Sequence, residues 1–186
     1  MSAPGNSGGL HQTVRWLLCI GSLIVAAITT YKAWEDKALI PPTQRIDAIK
    51  YSDPLKAAID ANIDQSKGLF DVGLLLLGAL WALVIAKKDE GRIALGDVPE
   101  VIMLLSASAL LLLSFEWHEF YLENLGAAYE LASRNCTDLK AACFPDVLGI
   151  PSIEFLRNYQ ETFLRMGGGI ALATIFSAHQ LKGVRR

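Results

Sequence analysis

Charged residues are scarce in this chain, and neither sign dominates. Asp, Glu, Lys and Arg make up 19% of the 186 residues, and the formal net charge is −2. A globular domain in water usually carries about 25% charged residues, and a domain that binds nucleic acid concentrates Lys and Arg on one surface. The composition therefore argues against an ordinary water-soluble domain, and we expect no nucleic-acid partner.

Residues that commonly carry catalytic or metal chemistry are also few, with three cysteines and three histidines. The phosphate-binding loop, the Gly-x-Ser-x-Gly elbow and the His-Glu-x-x-His zinc motif are all absent. The Glu-x-x-His motif of di-iron bundles is absent too, because Glu116 and His118 are two residues apart and lie on different helix faces. We therefore predict no catalytic residue, no metal and no cofactor. One metal or haem alternative stays open, in which His11 and His179 would meet at the inner membrane surface.

Apolar residues are abundant, at 52% of the chain, and they gather in four blocks. Crossing a bilayer takes about 20 residues in a helix, so we place four spans at residues 16–34, 69–87, 100–121 and 162–180. The uninterrupted apolar runs are shorter than this, so the ionisable residues that border them must extend to the interface or face the bundle interior. The predicted fold is all-α: a single integral membrane four-helix bundle that occupies residues 1–186.

Three of the helices are expected to continue beyond the membrane on one side. Ser52-Asp53-Pro54 is typical of a helix start with proline in the first turn, and apolar residues then recur every four positions at Leu55, Ile59 and Ile63. The third span has no strong helix breaker before Ser133, and residues 152–163 lead as a helix into the fourth span. These segments predict a helical cap outside the membrane.

Lysine and arginine near the spans indicate the threading, because they concentrate in cytoplasmic loops. Lys87, Lys88 and Arg92 lie in the short 87–99 loop, and the C-terminal tail is basic. The first ten residues hold no Lys or Arg, unlike a cleaved signal peptide, so the first span is retained. Both termini are predicted to be cytoplasmic, and loops 35–68 and 121–162 to be exported.

Cysteine usage agrees with this threading. Cys136 and Cys143 lie in the 121–162 loop, and a disulfide between them would be stable in an oxidising compartment. Their spacing is wider than the Cys-x-x-Cys of redox-active pairs. We therefore predict a structural disulfide, with Cys19 as a buried thiol within the first span.

Small residues occur at spacings that suit close helix packing. Gly78 and Ala82 share one face of the second span, and Gly167, Gly168 and Gly169 open the fourth. Small side chains let membrane helices approach closely. These five positions are predicted to pack helices together.

A polar cluster is predicted where the spans reach the outer surface, formed by Asp71, Glu116, His118, Glu119 and Arg165. One interpretation is a structural network in which Arg165 pairs with Glu116 or Glu119. Others are an acidic ring at the mouth of an oligomeric cation pathway, a metal site, or the polar edge of a span with aromatic residues at the interface.

These features together favour a multi-pass membrane protein without enzymatic activity. The leading hypothesis is an assembly or accessory subunit that contacts the lipid bilayer and packs with itself or with a larger membrane complex. An oligomeric ion channel or transport protein with an acidic outer mouth is the alternative. A membrane-bound metal or haem oxidoreductase is the second alternative.

Overall fold

The computed structural model describes residues 7–39, 48–50, 53–85, 98–134, 143–145 and 151–184. Four long helices account for nearly all of these residues, which confirms the predicted all-α four-helix bundle. Their bounds are α1 Ser7–Leu39, α2 Asp53–Ile85, α3 Val98–Arg134 and α4 Pro151–Val184. Two short strands, which were not predicted, are β1 Ala48–Lys50 and β2 Cys143–Pro145.

The starts and lengths of the helices make the bundle longer than the hydrocarbon core of a membrane is thick. Helix α2 begins at Asp53-Pro54, where a carboxylate complements the helix dipole and proline lacks the N–H that a first turn leaves unpaired. Each helix has at least 33 residues, which corresponds to about 50 Å against a hydrocarbon core of about 30 Å. Three helices therefore extend past their predicted spans, as expected, and their joined ends form what we call the cap end.

Three of the described helices are long and apolar enough to cross a membrane, over Gln12–Lys37, Asp53–Ile85 and Val98–Arg134. Helix α4, the predicted fourth span, is not among them. Its apolar stretch is interrupted by Arg165 and by three successive glycines, which lower its hydropathy. The fourth span therefore stays a prediction.

Helices α3 and α4 run antiparallel and form the centre of the bundle, and α1 and α2 each pack against both. Helix α1 runs parallel to α3, since Arg15 meets Glu100 at one end and Trp34 meets Trp117 towards the other. In the most apolar stretch of each helix, 11% of the residues are buried in α1 and in α2, against 50% in α3. The outer helices thus expose most of their apolar side chains.

The cap end has a small core of its own. Ile59 of α2, Leu125 of α3 and Leu156 of α4 are buried there, and Arg157 donates a hydrogen bond to the side-chain oxygen of Asn62. Strands β1 and β2 pair antiparallel and connect the two long loops beside the cap. Cys136 and the side chain of Cys143 lie outside the described residues, so their disulfide stays a prediction.

The predicted packing residues differ in their surroundings. Gly167 is buried, and a Cβ added there would lie 3.0 Å from Cγ of Leu111 and 3.2 Å from the carbonyl oxygen of Ala107. Gly168 faces Leu76 at ordinary contact distance. Gly78, Ala82 and Gly169 are exposed, and a Cβ added at Gly78 or Gly169 would meet nothing within 4 Å. Gly73, which was not predicted, is buried against Phe115.

Candidate functional site

The predicted polar cluster is divided between the interior and the surface. His118 is buried, whereas Asp71, Glu116, Glu119 and Arg165 are exposed. Arg165 pairs with Glu161, one turn earlier on the same helix. Its predicted pairing with Glu116 or Glu119 within the chain is therefore wrong. The physical reason is helical phase: the α3 face that meets α4 carries Trp117 and Tyr121, which turns the two glutamates outwards.

A buried polar network joins three helices around His118. The Ser66 hydroxyl on α2 lies 2.9 Å from Nδ1 of His118 on α3 and 2.6 Å from Oε1 of Gln160 on α4. Nε2 of Gln160 donates to the backbone carbonyl of Ser66 at 2.9 Å. Ser66 and Gln160 are completely buried, and His118 is 8% exposed.

The geometry fixes the direction of two hydrogen bonds in this network. The Ser66 carbonyl can only accept, so the Gln160 nitrogen must face it and Gln160 Oε1 must accept the single proton of the Ser66 hydroxyl. Nδ1 of His118 lies 2.9 Å from the Ser66 oxygen and 3.5 Å from Gln160 Nε2, and its tautomer decides which of the two it bonds. Because the Ser66 proton is directed at Gln160 Oε1, the histidine is not placed as the base that would activate Ser66 as a nucleophile.

Neighbouring side chains enclose the network. The Ser114 hydroxyl donates to the backbone carbonyl of Gln160 at 3.0 Å. The ring of Phe70 lies 5.0 Å from that of His118 and 4.9 Å from that of Phe115. Polar groups withdrawn from water in this way hold helices in one register, because any shift leaves them unpaired. The arrangement is suited to tying α2, α3 and α4 together.

An aromatic layer centred on Trp117 lies on the other side of α3. Trp117 is fully buried, and its ring contacts those of Trp34 on α1 and three residues of α4, which are Phe155, Tyr159 and Phe163. Trp117 Nε1 and the Tyr121 hydroxyl are buried without a hydrogen-bond partner among the described residues. The Trp117 side chain thus fills the interior between α1, α3 and α4.

Polar residues at the end of α1 surround this aromatic layer. The Lys37 ammonium lies 3.0 Å from the ring centre of Phe120 and 4.7 Å from that of Trp34, a cation–π arrangement. The Tyr159 hydroxyl donates to the carboxylate of Asp36. Burial, followed by the Asp36 hydrogen bond and charge, raises the pKa of Tyr159 to about 12. Lys37 and Asp36 thus attach α1 to α3 and α4.

A second buried polar group, at the end opposite the cap, was not predicted as a site. Arg15 Nε donates to Glu100 Oε1 at 2.6 Å, and a second guanidinium nitrogen pairs with Oε2. Ser177 donates to the same Oε1 at 2.8 Å, and the Glu100 side chain is completely buried. The sequence signal was a basic and an acidic residue at the same edge of two predicted spans, which hydropathy alone does not connect.

No group of three or more His, Cys, Asp or Glu side chains that could hold a metal ion occurs among the residues that the structure describes. The side chains of His11 and His179, the predicted alternative haem pair, lie outside those residues. No family model, curated protein or solved structure matches this chain. Function must therefore be inferred from the geometry.

Proposed function

We propose that this chain is a multi-pass membrane subunit without enzymatic activity, which assembles with itself or with a larger membrane complex. One observation carries the proposal. The described polar groups of the interior are committed mainly to one another, whereas large apolar helix faces remain exposed. A protein that acts through its interior would need the opposite arrangement, with polar groups directed into an accessible cavity.

The interior supports a structural role. Glu100 and Gln160 are completely buried, and both connect three helices by hydrogen bonds. Polar side chains in membrane helices commonly hold helices together in this way. The serine next to His118 is not activated, so hydrolytic chemistry at this network has no support.

The exterior supports assembly within a bilayer. Leu17 and Tyr31 of α1 are 64% and 71% exposed, and Leu75 and Ile85 of α2 are 73% and 74% exposed. Apolar surface of this extent requires cover by lipid or by another chain. An oligomeric channel is the second candidate, because Glu116 and Glu119 are exposed and could line a pathway only between copies.

Particle mass and ion flux test the proposal together. The full chain is purified in detergent without cross-linking, and native mass spectrometry gives the number and identity of its polypeptides. The same material in liposomes is assayed for cation flux, with empty liposomes as the control. We expect a particle that contains more than one polypeptide and flux equal to that of the control.

A particle of one 20.3 kDa chain would contradict the proposal. Cation flux that Glu116→Gln and Glu119→Gln alter, while the fold stays intact, would replace it with the channel function. A stoichiometric haem or metal in the purified particle would favour the oxidoreductase instead.

A further inference from the structure

Two exposed stripes run along opposite sides of the central helix pair. The α3 stripe consists of Val101, Leu105, Ala109, Leu112, Glu116 and Glu119, which follow one another at helical spacing and are all exposed. The α4 stripe consists of Arg165, Gly169, Leu172 and Phe176, also all exposed. Because α3 and α4 bury their facing sides against each other, the two stripes point away from one another.

Internal contacts give the relative heights of the two stripes. Ser177 of α4 bonds to Glu100, and the backbone of Gln160 bonds to Ser114. Counting residues along each helix between these two contacts places Leu172 at the level of Leu105. The same count places Gly169 within one helical turn of Ala109.

The charges match in height as well. Arg165 reaches back one turn towards the cap to Glu161, which brings its guanidinium near the height of Glu116. The Arg165 side chain is 76% exposed. Glu161 accepts from one of its terminal nitrogens, and because a guanidinium has five N–H donors, the others can bind a second carboxylate.

We propose that the α4 stripe of one copy docks on the α3 stripe of a second copy, with Arg165 directed at Glu116 and Glu119 of its neighbour. This inference rests on the proposed assembly function and names the partner. Gly169 and Ala109 allow the helices to approach closely, while Leu172 packs beside Leu105. The carboxylate pairing that is absent within one chain is thus made between chains.

The contact joins two different surfaces, so it is heterologous. A pair therefore keeps one free α3 stripe on one copy and one free α4 stripe on the other, and assembly continues until a ring closes or a row forms. All copies must share one orientation in the membrane, because Arg165 and Glu116 are at matching heights only then.

Cysteine cross-linking in native-like membranes tests the contact. The full chain carrying both Leu105→Cys and Leu172→Cys is oxidised and analysed without reductant. The matched control carries Ile20→Cys with Leu172→Cys, since Ile20 is 49% exposed and lies at a similar height on α1. We expect a ladder of covalent multimers from the first pair. The control should give only the background seen in variants that carry one introduced cysteine beside the three natural ones.

The charge contribution is tested in the same assay and by particle mass. Arg165→Gln should weaken association about tenfold, as expected for a lost hydrogen bond to a charged group. Arg134→Gln is the control, because it removes an equivalent exposed pair with Glu130, four residues earlier on α3. Association of that variant should equal that of the unmodified chain.

Equal cross-linking of both cysteine pairs would overturn the inference, because it would indicate random collision. Absence of cross-links from a particle that still contains several copies would also overturn it, and would leave the proposed function standing. A particle that contains one copy together with other proteins would also overturn the inference, because the α3 stripe would then bind a different protein. A lone chain would contradict both proposals.

Discussion

Gln160 binds Ser66 with both ends of its amide, and this makes it the most informative buried side chain to change. Gln160→Ala removes the acceptor of the Ser66 hydroxyl and the donor to its carbonyl. Each buried group left unpaired costs about 1–3 kcal/mol, so the two groups predict a loss of about 2–6 kcal/mol in the free energy of unfolding. Thermal unfolding in detergent measures it, with the exposed Gln65→Ala as a control. Equal stability of the two variants would show that water reaches the network.

Tyr159 should make the stability of the fold sensitive to alkaline pH. Its pKa is about 12 in the folded protein and about 10 in an unfolded chain, so the folded state holds the proton more tightly. Its contribution is complete below about pH 10 and is lost as pH rises towards about pH 12. Tyr159→Phe should lower stability at neutral pH and reduce the alkaline loss. An unchanged alkaline profile would assign that loss to other groups.

For single residues, the sequence predicted which helix face a side chain occupies better than it predicted the side chain's hydrogen-bond or ion-pair partner. Helical spacing correctly separated His118 from Glu116 and Glu119. It did not identify Ser66 and Gln160 as its partners, because they are 52 and 42 positions away and are common polar residues. Arg165 was given the wrong partner, since a local glutamate one turn away was already within reach.

Helix packing gives a prediction at the scale of elements, in which two glycines behave differently. Gly167→Ala places a methyl group against Leu111 and the backbone of Ala107, and overpacking of this kind costs about 1–3 kcal/mol. Gly78→Ala meets nothing within 4 Å and gains up to about 1 kcal/mol of helix propensity. Opposite shifts in unfolding temperature are expected. Shifts of the same sign would mean that the Gly167 contact relaxes without cost.

The ion pair between α1 and α3 gives a second prediction at this scale. Glu100→Gln keeps the shape of the side chain but removes the charge that Glu100 presents to Arg15, and breaking a buried pair in this way costs about 3–5 kcal/mol. Glu130→Gln removes an exposed pair and should cost at most about 0.5 kcal/mol. Chemical unfolding in detergent compares them. A double variant, Arg15→Met with Glu100→Gln, should recover part of the loss, and absence of recovery would argue against the pair.

The extents of the elements were largely readable because helix signals are local. The Asp53-Pro54 start and the long continuations of α3 and α4 follow from capping residues and from the lack of helix breakers. The β1–β2 ladder was not predictable, since it pairs segments almost a hundred residues apart whose short sequences have no strand pattern. The lower hydropathy of α4 follows from its three successive glycines and Arg165.

Threading is a property of the whole molecule. Lys87, Lys88 and the basic tail predict that both termini are cytoplasmic. A reporter active only in the cytoplasm should therefore be active when fused after Arg186, and inactive when fused after Pro145, in the loop predicted to be exported. The reverse pattern would invert the proposed orientation, and activity at both sites would argue against four crossings.

The overall architecture was predictable because it depends on the amount and grouping of apolar residues. Four apolar blocks gave four helices. The centre of the bundle was not predictable: α3 and α4 form it because they carry the matched small and aromatic residues, such as Gly167 against Leu111 and Trp117 against Phe163. Periodicity alone does not reveal which apolar faces pair.

The position of Arg15 has a consequence for the order in which the molecule is made. Its carboxylate partner Glu100 lies 85 residues later in the chain, and the tyrosine that binds Asp36 lies 123 residues beyond that aspartate. At a synthesis rate of about 5–20 residues per second, Glu100 follows Arg15 by about 4–17 s. During that interval the first helix lies in the bilayer before Glu100 and Tyr159 have been synthesised.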